Sequence, residues 1–591
     1  LETPGIDDVI FPESLAVEPA GLSSLASLHI LTLDLNLQQL SRLVHLPRLT
    51  ELSVSDNTNL VPSDQRSATF AITQLPHLKS LRIEAFCDQF NLTTPSGLPC
   101  TRLEGLLIAN SNNLETLPDN IGEMLPCLRE LTVESCKTFS HLPKKLTSMS
   151  RLESLTVSCS NLFFSLPENI ALPALKTLVL HLLPLAHLPG SLCHLSNLET
   201  LFLIGCGEIH QLPADFCNLT ALRTLCLQLP LVPFRKASDQ QHQHQPQQQQ
   251  FPFSFTQLTS LTRLELDQCT ITDLPEGMGE IRNLQQLHLR NCLNFRKIPE
   301  SLTALLILEI LTIATCSKLA SVPGKLSRLT KLKRLEIKGC ESLTELPESF
   351  PPSLEILSLG NQQKVTPLRG LSVLPKLQKL SLSRVTVECG LAASKGVSHL
   401  ENLEYLELIL ADDAEELPFP LTFLSQLHTL VILSAGKIQT LPMDLGSSLK
   451  QLWRLEIQHA EALTELPASI VEMQRLTSLE VHAPSLISLP EGVGALSGLR
   501  ELDLANCSAL ERLPASLTQL ACLNKLNAKN SAIRSFPPDF DQLTRLKTLT
   551  LDGCSRLTAL PTGLLKLKVL QTLDVQGCEQ LFDGVSLECL G

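Results

Sequence analysis

The chain has 591 residues, 4% of them aromatic with one Trp and one Tyr, and a formal net charge of −13. A single globular core does not grow to this length, and a set of ordinary domains would use more rings. The acidic balance excludes the broad basic surface that a nucleic-acid backbone needs, and no apolar run approaches the roughly 18 residues of a membrane-spanning helix.

Residues 1–24 form an N-terminal flank in which Ile10, Phe11, Leu15 and Val17 would cover the first unit of a repeat. From residue 25 onward an LxL pair recurs, its first Leu running from Leu31 and Leu52 to Leu549 and Leu573. That makes 23 units, mostly 23 to 25 residues apart. Repeats one to nine span 25–230 and repeats ten to twenty-three span 258–581, with a short C-terminal flank at 582–591. The two long steps are 29 residues (Leu52 to Leu81) and 39 residues (Leu225 to Leu264). The second contains 231–257, a Gln-, His- and Pro-rich insertion that holds too little apolar surface to order itself. The initiator Met is absent and LETPGIDDVIFPESL lacks the h-region of a signal peptide, so the chain reads as a processed product or a fragment.

The pattern is clearest at Leu499, Leu502, Leu504, Cys507, Leu510, Leu513 and Pro514. LxL alternates as a half-buried strand does. Cys or Asn follows where the chain must turn, and LxxLP then leads into xxLxxL, apolar at helical spacing. Pro suits a first helical turn, where its missing N–H has no partner to lose. One unit cannot bury its own Leu face, but a stack of units can.

This motif resembles leucine-rich repeats. The Cys-bearing form is similar to the repeats of plant intracellular disease-resistance receptors and to leucine-rich effectors of plant pathogens. The resemblance implies an α/β leucine-rich repeat solenoid, a horseshoe or superhelix of about 23 repeats. It would carry a parallel sheet on the concave face and short helical or 3₁₀ returns on the convex face. It also implies that the turn position packs inward. Cys136, Cys159, Cys206, Cys269, Cys292, Cys316, Cys340, Cys507, Cys554 and Cys578 are assigned to that position, as are Asn110, Asn361 and Asn530. Buried, reduced thiols and a total of 19 Cys, an odd number, point to a cytoplasmic, reducing compartment.

No phosphate loop, GxSxG, HExxH or kinase set occurs, and no CxxC pair of the zinc-binding kind. The chain is therefore expected to be non-enzymatic and without a cofactor or metal, its partners proteins rather than nucleic acid, membrane or small molecule. Residues flanking the LxL leucines point out of the sheet. They include two apolar clusters, Val179, Phe202, Ile204 and Cys226 in one, Tyr405, Ile409, Val431 and Leu433 in the other. Between them in sequence lies a charged band of Arg263, Glu265, Asp267, His288, Arg290, Arg334, Glu336 and Lys338. Apolar groups beside mixed charge suit a protein-binding face; the band also suits a cross-strand ion-pair ladder. The expected function is a recognition module or scaffold, of the immune or signalling kind. The alternatives are the sensing part of a larger signalling protein or enzyme, and a structural subunit of an assembly.

Overall fold

The computed structural model describes residues 30–34, 49–55, 77–84, 102–112, 114–206, 209, 212–228, 257–344, 346–360, 371, 374–385, 400–433 and 435–581. The two flanks, the 231–255 segment and Asn361 lie outside these residues. The chain divides into two units, Leu1–Phe295 and Arg296–Gly591.

The first unit carries eleven strands among its described residues: β1 (Ile30–Asp34), β2 (Glu51–Ser55), β3 (Ser80–Glu84), β4 (Gly105–Ala109), β5 (Glu130–Glu134), β6 (Ser154–Ser158), β7 (Thr177–His181), β8 (Thr200–Ile204), β9 (Thr224–Gln228), β10 (Arg263–Asp267) and β11 (Gln286–Arg290). Each pairs in parallel with the next, Leu on Leu: Leu201 faces Leu225, Leu225 faces Leu264, and Leu264 faces Leu287. The register therefore passes unshifted over the 39-residue step.

The second unit repeats this with β12 (Ile310–Ala314), β13 (Arg334–Lys338), β14 (Ile356–Gly360), β15 (Lys379–Val385), β16 (Tyr405–Leu410), β17 (Thr429–Leu433), β18 (Arg454–Gln458), β19 (Ser478–Val481), β20 (Glu501–Asp503), β21 (Lys525–Asn527), β22 (Thr548–Thr550) and β23 (Thr572–Asp574). Its strands also pair in parallel, with one bulge at Ser383/Val385 where β15 meets β16. Both units have the architecture of a leucine-rich repeat solenoid. The first Leu of every LxL pair is the second residue of its strand, as the period predicts.

Along the described strands the inward residues of the pairs are buried, Leu264 and Leu266 both at 0% exposure, except on the last strand, where Leu573 is 39% exposed. Each such side chain contributes about 1.5–3 kcal/mol. The returns are single turns, mostly 3₁₀. Pro189, Pro275, Pro299, Pro467 and Pro514 stand at the cap before the first turn rather than inside it. Their φ of −62 to −69° and ψ of 140 to 148° are extended, which Pro adopts without losing a donor. Its carbonyl accepts the first bond of the turn, as Pro514 O does from Leu517 N at 3.1 Å. Rings replace Leu at a few inward sites, and Phe139 stacks on Phe163 one rung on, 5.7 Å between centroids.

The turn position needs one correction. The residue just before the inward one has positive φ in rung after rung: Asn110, Ser135, Cys159, Leu182, Gln268, Asn291, Asn506 and Asn530, with Gly at 205, 339, 553 and 577. Asn and Gly gather there because they tolerate the left-handed region best. Cys159, Asn110 and Asn530 thus occupy the left-handed site and do not point inward. Ser160, Ser111 and Ser531 take the inward place, at 1%, 2% and 3% exposure. The other nine assigned cysteines are buried. Several of their thiols donate to carbonyls of the preceding rung: Cys206 to Leu180 O (3.3 Å), Cys507 to Val481 O (3.2 Å), Cys554 to Ala528 O (3.0 Å). Ser160 does the same toward Phe139 O. Burial pushes the thiols of Cys206 and Cys340 up to about 12 and that of Cys507 to about 11, so they stay protonated at neutral pH.

Candidate binding surface

With the leucines facing inward, the first, third and fifth residues of each strand form three outward rows. In the first unit the middle row runs Val179, Phe202, Cys226, Glu265, His288, each opposite the next. Ile204 stands in a second row between His181 and Gln228. The expected apolar cluster is thus brought together, with Phe202 flanked on both sides by its own row.

These side chains are less open than an outward position suggests. Val179, Phe202, Ile204 and Cys226 are half-buried, and His288 is only 7% exposed. Strands about 4.8 Å apart let same-row neighbours cover one another. His288 is therefore a covered residue of the row rather than a free contact. Burial first, then the carboxylate of Glu265, raises the Cys226 thiol to about 11. It is not a thiolate nucleophile at neutral pH.

The charged residues of this unit form the ladder that their spacing suggests. Glu265 is held by Arg263 at 2.8 Å and by Arg290 of the next strand at 2.9 Å. Its own side chain is only 15% exposed. Asn291 donates to Asp267 at 2.8 Å. This lattice fixes the border of the apolar row.

In the second unit, Arg334 reaches Glu336 at 3.5 Å, and Lys338 lies on the same strand. The other apolar group is only partly assembled. Ile409 faces Leu433, but Tyr405 faces Thr429 in a different row, and Val431 faces Glu407. Val431 is 6% exposed and so is not presented as expected. Crowding in its row covers it, because both β16 and β18 flank β17. Tyr405 is half-buried; burial, then the nearby carboxylates Glu407 and Glu456, raise its hydroxyl above the usual range. It sits in a polar setting instead of an apolar cluster.

A larger polar network, which the sequence pattern did not single out, lies on β18 to β21. Arg454 bonds Glu456 at 2.8 Å and lies 3.8 Å from Glu480. Gln458 donates to Glu456 (2.6 Å) and Glu480 (2.8 Å). His482 meets Asp503 at 3.2 Å, and Asn527 donates to both oxygens of Asp503 at 3.0 and 2.8 Å. The bond to Asp503 raises His482 above its ordinary value. Burial pushes Asp503 up, but the bonds from His482, Asn527 and the Ala505 N–H bring it below the usual carboxylate range. The signal is present in the chain: all of them stand one residue before, between or after the residues of an LxL pair, like Arg263 and Glu265.

Among the described residues no group of three His, Cys, Asp or Glu is placed to hold a metal. No helix there is long and apolar enough to cross a membrane.

No protein-family profile matches the chain. TMV resistance protein N of Nicotiana glutinosa is 27% identical over 266 residues, 42% of this chain and 22% of that protein. Disease resistance protein RPS4B of Arabidopsis thaliana is 30% identical over 226 residues, 36% of this chain and 17% of that protein. The chain thus spans about a fifth of the length of these relatives. Among solved structures, TLR13 in complex with ssRNA13 aligns over 94% of this chain and 78% of that one, at 20% identity and a TM-score of 0.57. That likeness concerns the fold.

Proposed function

We propose that this chain, a leucine-rich repeat protein resembling the repeat regions of plant resistance proteins, is a non-enzymatic recognition module that binds a protein partner on the outward face of its sheet. The observation that carries this reading is the Val179–Phe202–Cys226 row, an apolar strip of half-buried side chains bordered by the Arg263–Glu265–Arg290 lattice. An apolar centre beside fixed charge is how specific protein interfaces are built. Arg334, Glu336, Lys338, Tyr405, Ile409 and Leu433 offer a more polar surface for the same kind of contact in the second unit. A reducing, cytoplasmic setting is part of the same proposal, and its support is the inward packing of nine cysteines as buried side chains of the repeat.

The short share of each relative that the chain spans favours one further reading. In it the chain is the sensing part of a larger signalling protein whose output lies elsewhere. Both readings use the same face. Phe202→Glu should keep the far-UV circular dichroism and melting temperature of the parent. It should weaken capture of the native protein partner by about tenfold, the effect of losing an interface anchor. If Phe202→Glu and Tyr405→Glu both capture that partner as the parent does, the outward face is not the binding surface.

A further inference from the structure

The residue just before each strand lines one edge of the repeats. Its carbonyl accepts the N–H of the same position in the next rung: Trp453 donates to His428 O at 2.9 Å, Thr477 to Trp453 O at 2.9 Å, Arg500 to Thr477 O at 2.8 Å. Side chains along this edge are thus neighbours about 4.8 Å apart. In the first unit the row alternates in sign, Lys79, Glu104, Arg129, Glu153, Lys176, Glu199, Arg223. Its charges pair: Arg129–Glu153 at 2.6 Å, Lys176–Glu153 at 2.7 Å, Arg223–Glu199 at 3.7 Å. In the second unit Lys333 pairs with Glu309 at 3.0 Å, and the acids continue to Glu404.

After Glu404 the compensation stops. The row becomes His428, Trp453, Thr477, Arg500, Asn524, Lys547, with no carboxylate. A cavity of about 430 Å³ opens at this stretch, lined among others by Trp453, Arg475, Thr477, Gly498 and Arg500, and by no acid. Trp453 is 47% exposed. Arg475 and Arg500 are exposed, and neither has an ion-pair partner among the described residues. An unbalanced cationic edge is unexpected on a chain of net charge −13.

We infer that this edge of β18 to β20 is a second binding site, which takes an acidic peptide segment carrying an apolar or aromatic side chain. The carboxylates would bond Arg475 and Arg500, and the ring would lie against Trp453. Gly498 lines the same cavity without a side chain to fill it. The site needs no part of the outward face, so it stands or falls separately from the Phe202 strip. A polyanion such as nucleic acid suits it less, because the cations are few and the rest of the chain repels phosphate.

Trp453 is the single Trp of the chain and reports on its own site. The full chain is titrated with the peptide Glu-Glu-Phe-Glu-Glu, its Lys-Lys-Phe-Lys-Lys counterpart and a single-stranded oligonucleotide, following Trp453 emission. Saturable change is expected with the acidic peptide alone, weakening as salt rises. Arg475→Ser with Arg500→Ser should raise the midpoint by about tenfold. Gly498→Leu should abolish the response by filling the cavity. A Cβ at 498 has its nearest neighbours, Gln474 O and Leu476 O, at 3.5 Å, so the backbone tolerates it. Phe202→Glu should leave the titration unchanged. An emission that ignores the acidic peptide overturns the inference, as does a response equal in the double variant or one given only by the oligonucleotide.

Discussion

At the residue scale, the left-handed position before the inward side chain restricts what can stand there. Gly553 has φ +73°, and a Cβ there would lie 2.2 Å from Asn530 Oδ1, on a side chain that itself bonds Asn506 at 3.0 Å. Gly553→Ala should destabilise by about 1–2 kcal/mol in urea unfolding, whereas Gly190→Ala, with nothing within 4 Å of its Cβ, should change little. His482 supplies a pH dependence. Its folded value lies above the ordinary one of about 6.5, so the protonated form is the one that folding stabilises. That contribution is complete below about 6.5 and is lost as pH rises through the raised folded value. The melting-temperature gap between the parent and His482→Gln should therefore be widest near pH 6 and narrow as pH rises through the raised folded value. A gap that widens with pH would contradict the assignment of the proton to the His482–Asp503 bond.

At the element scale, a rung is a strand, a left-handed turn, an inward Cys or Ser and a 3₁₀ return. Nothing in it requires a particular length of chain between Leu227 and Leu258, because β9 and β10 keep Leu225 opposite Leu264 across the 39-residue step. Closure entropy rises only with the logarithm of length. Removing about 15 residues from 231–255 should thus shift the melting temperature by no more than about 2 °C. A fall of many degrees would mean that this segment packs on the repeats. The ladder behaves as an element too. Glu265 is held from two strands, so Arg290 and Arg263 are coupled in a way that single exposed pairs are not.

At the scale of the whole molecule, the repeat makes stability a sum of rungs and their interfaces. The inward thiols belong to that sum, since they are buried and several of them bond a carbonyl of the preceding rung, as Cys206, Cys507 and Cys554 do. Thiol titration of the denatured, unreduced protein should count all 19 cysteines. A count lower by pairs would place the molecule in an oxidising compartment and undo the reducing assignment. Function at this scale is a matter of which surfaces are left unbalanced. The outward strip at Phe202 and the cationic edge at Trp453 are two such places, and they answer to different probes.

The period of the leucines determined the fold by itself, because a strand-length LxL pair every two dozen residues has no stable solution except stacking. It placed one strand at each LxL pair and predicted that the leucines face inward, which fails at Leu573 on the last strand. It also named Phe202 and Glu265 as outward residues, since strand alternation is a local property. Register between rungs is not local. Whether Cys159 or Ser160 points inward depends on which residue takes the left-handed turn, and the two patterns differ by one position. Burial of Val431 and His288 depends on side chains of the flanking strands, far away in sequence. The edge row is spread over residues about 24 apart, and only stacking shows that its acids end at Glu404. Tertiary structure decided these points because each is a contact between rungs, and the sequence of one rung carries no information about its neighbour's side chains.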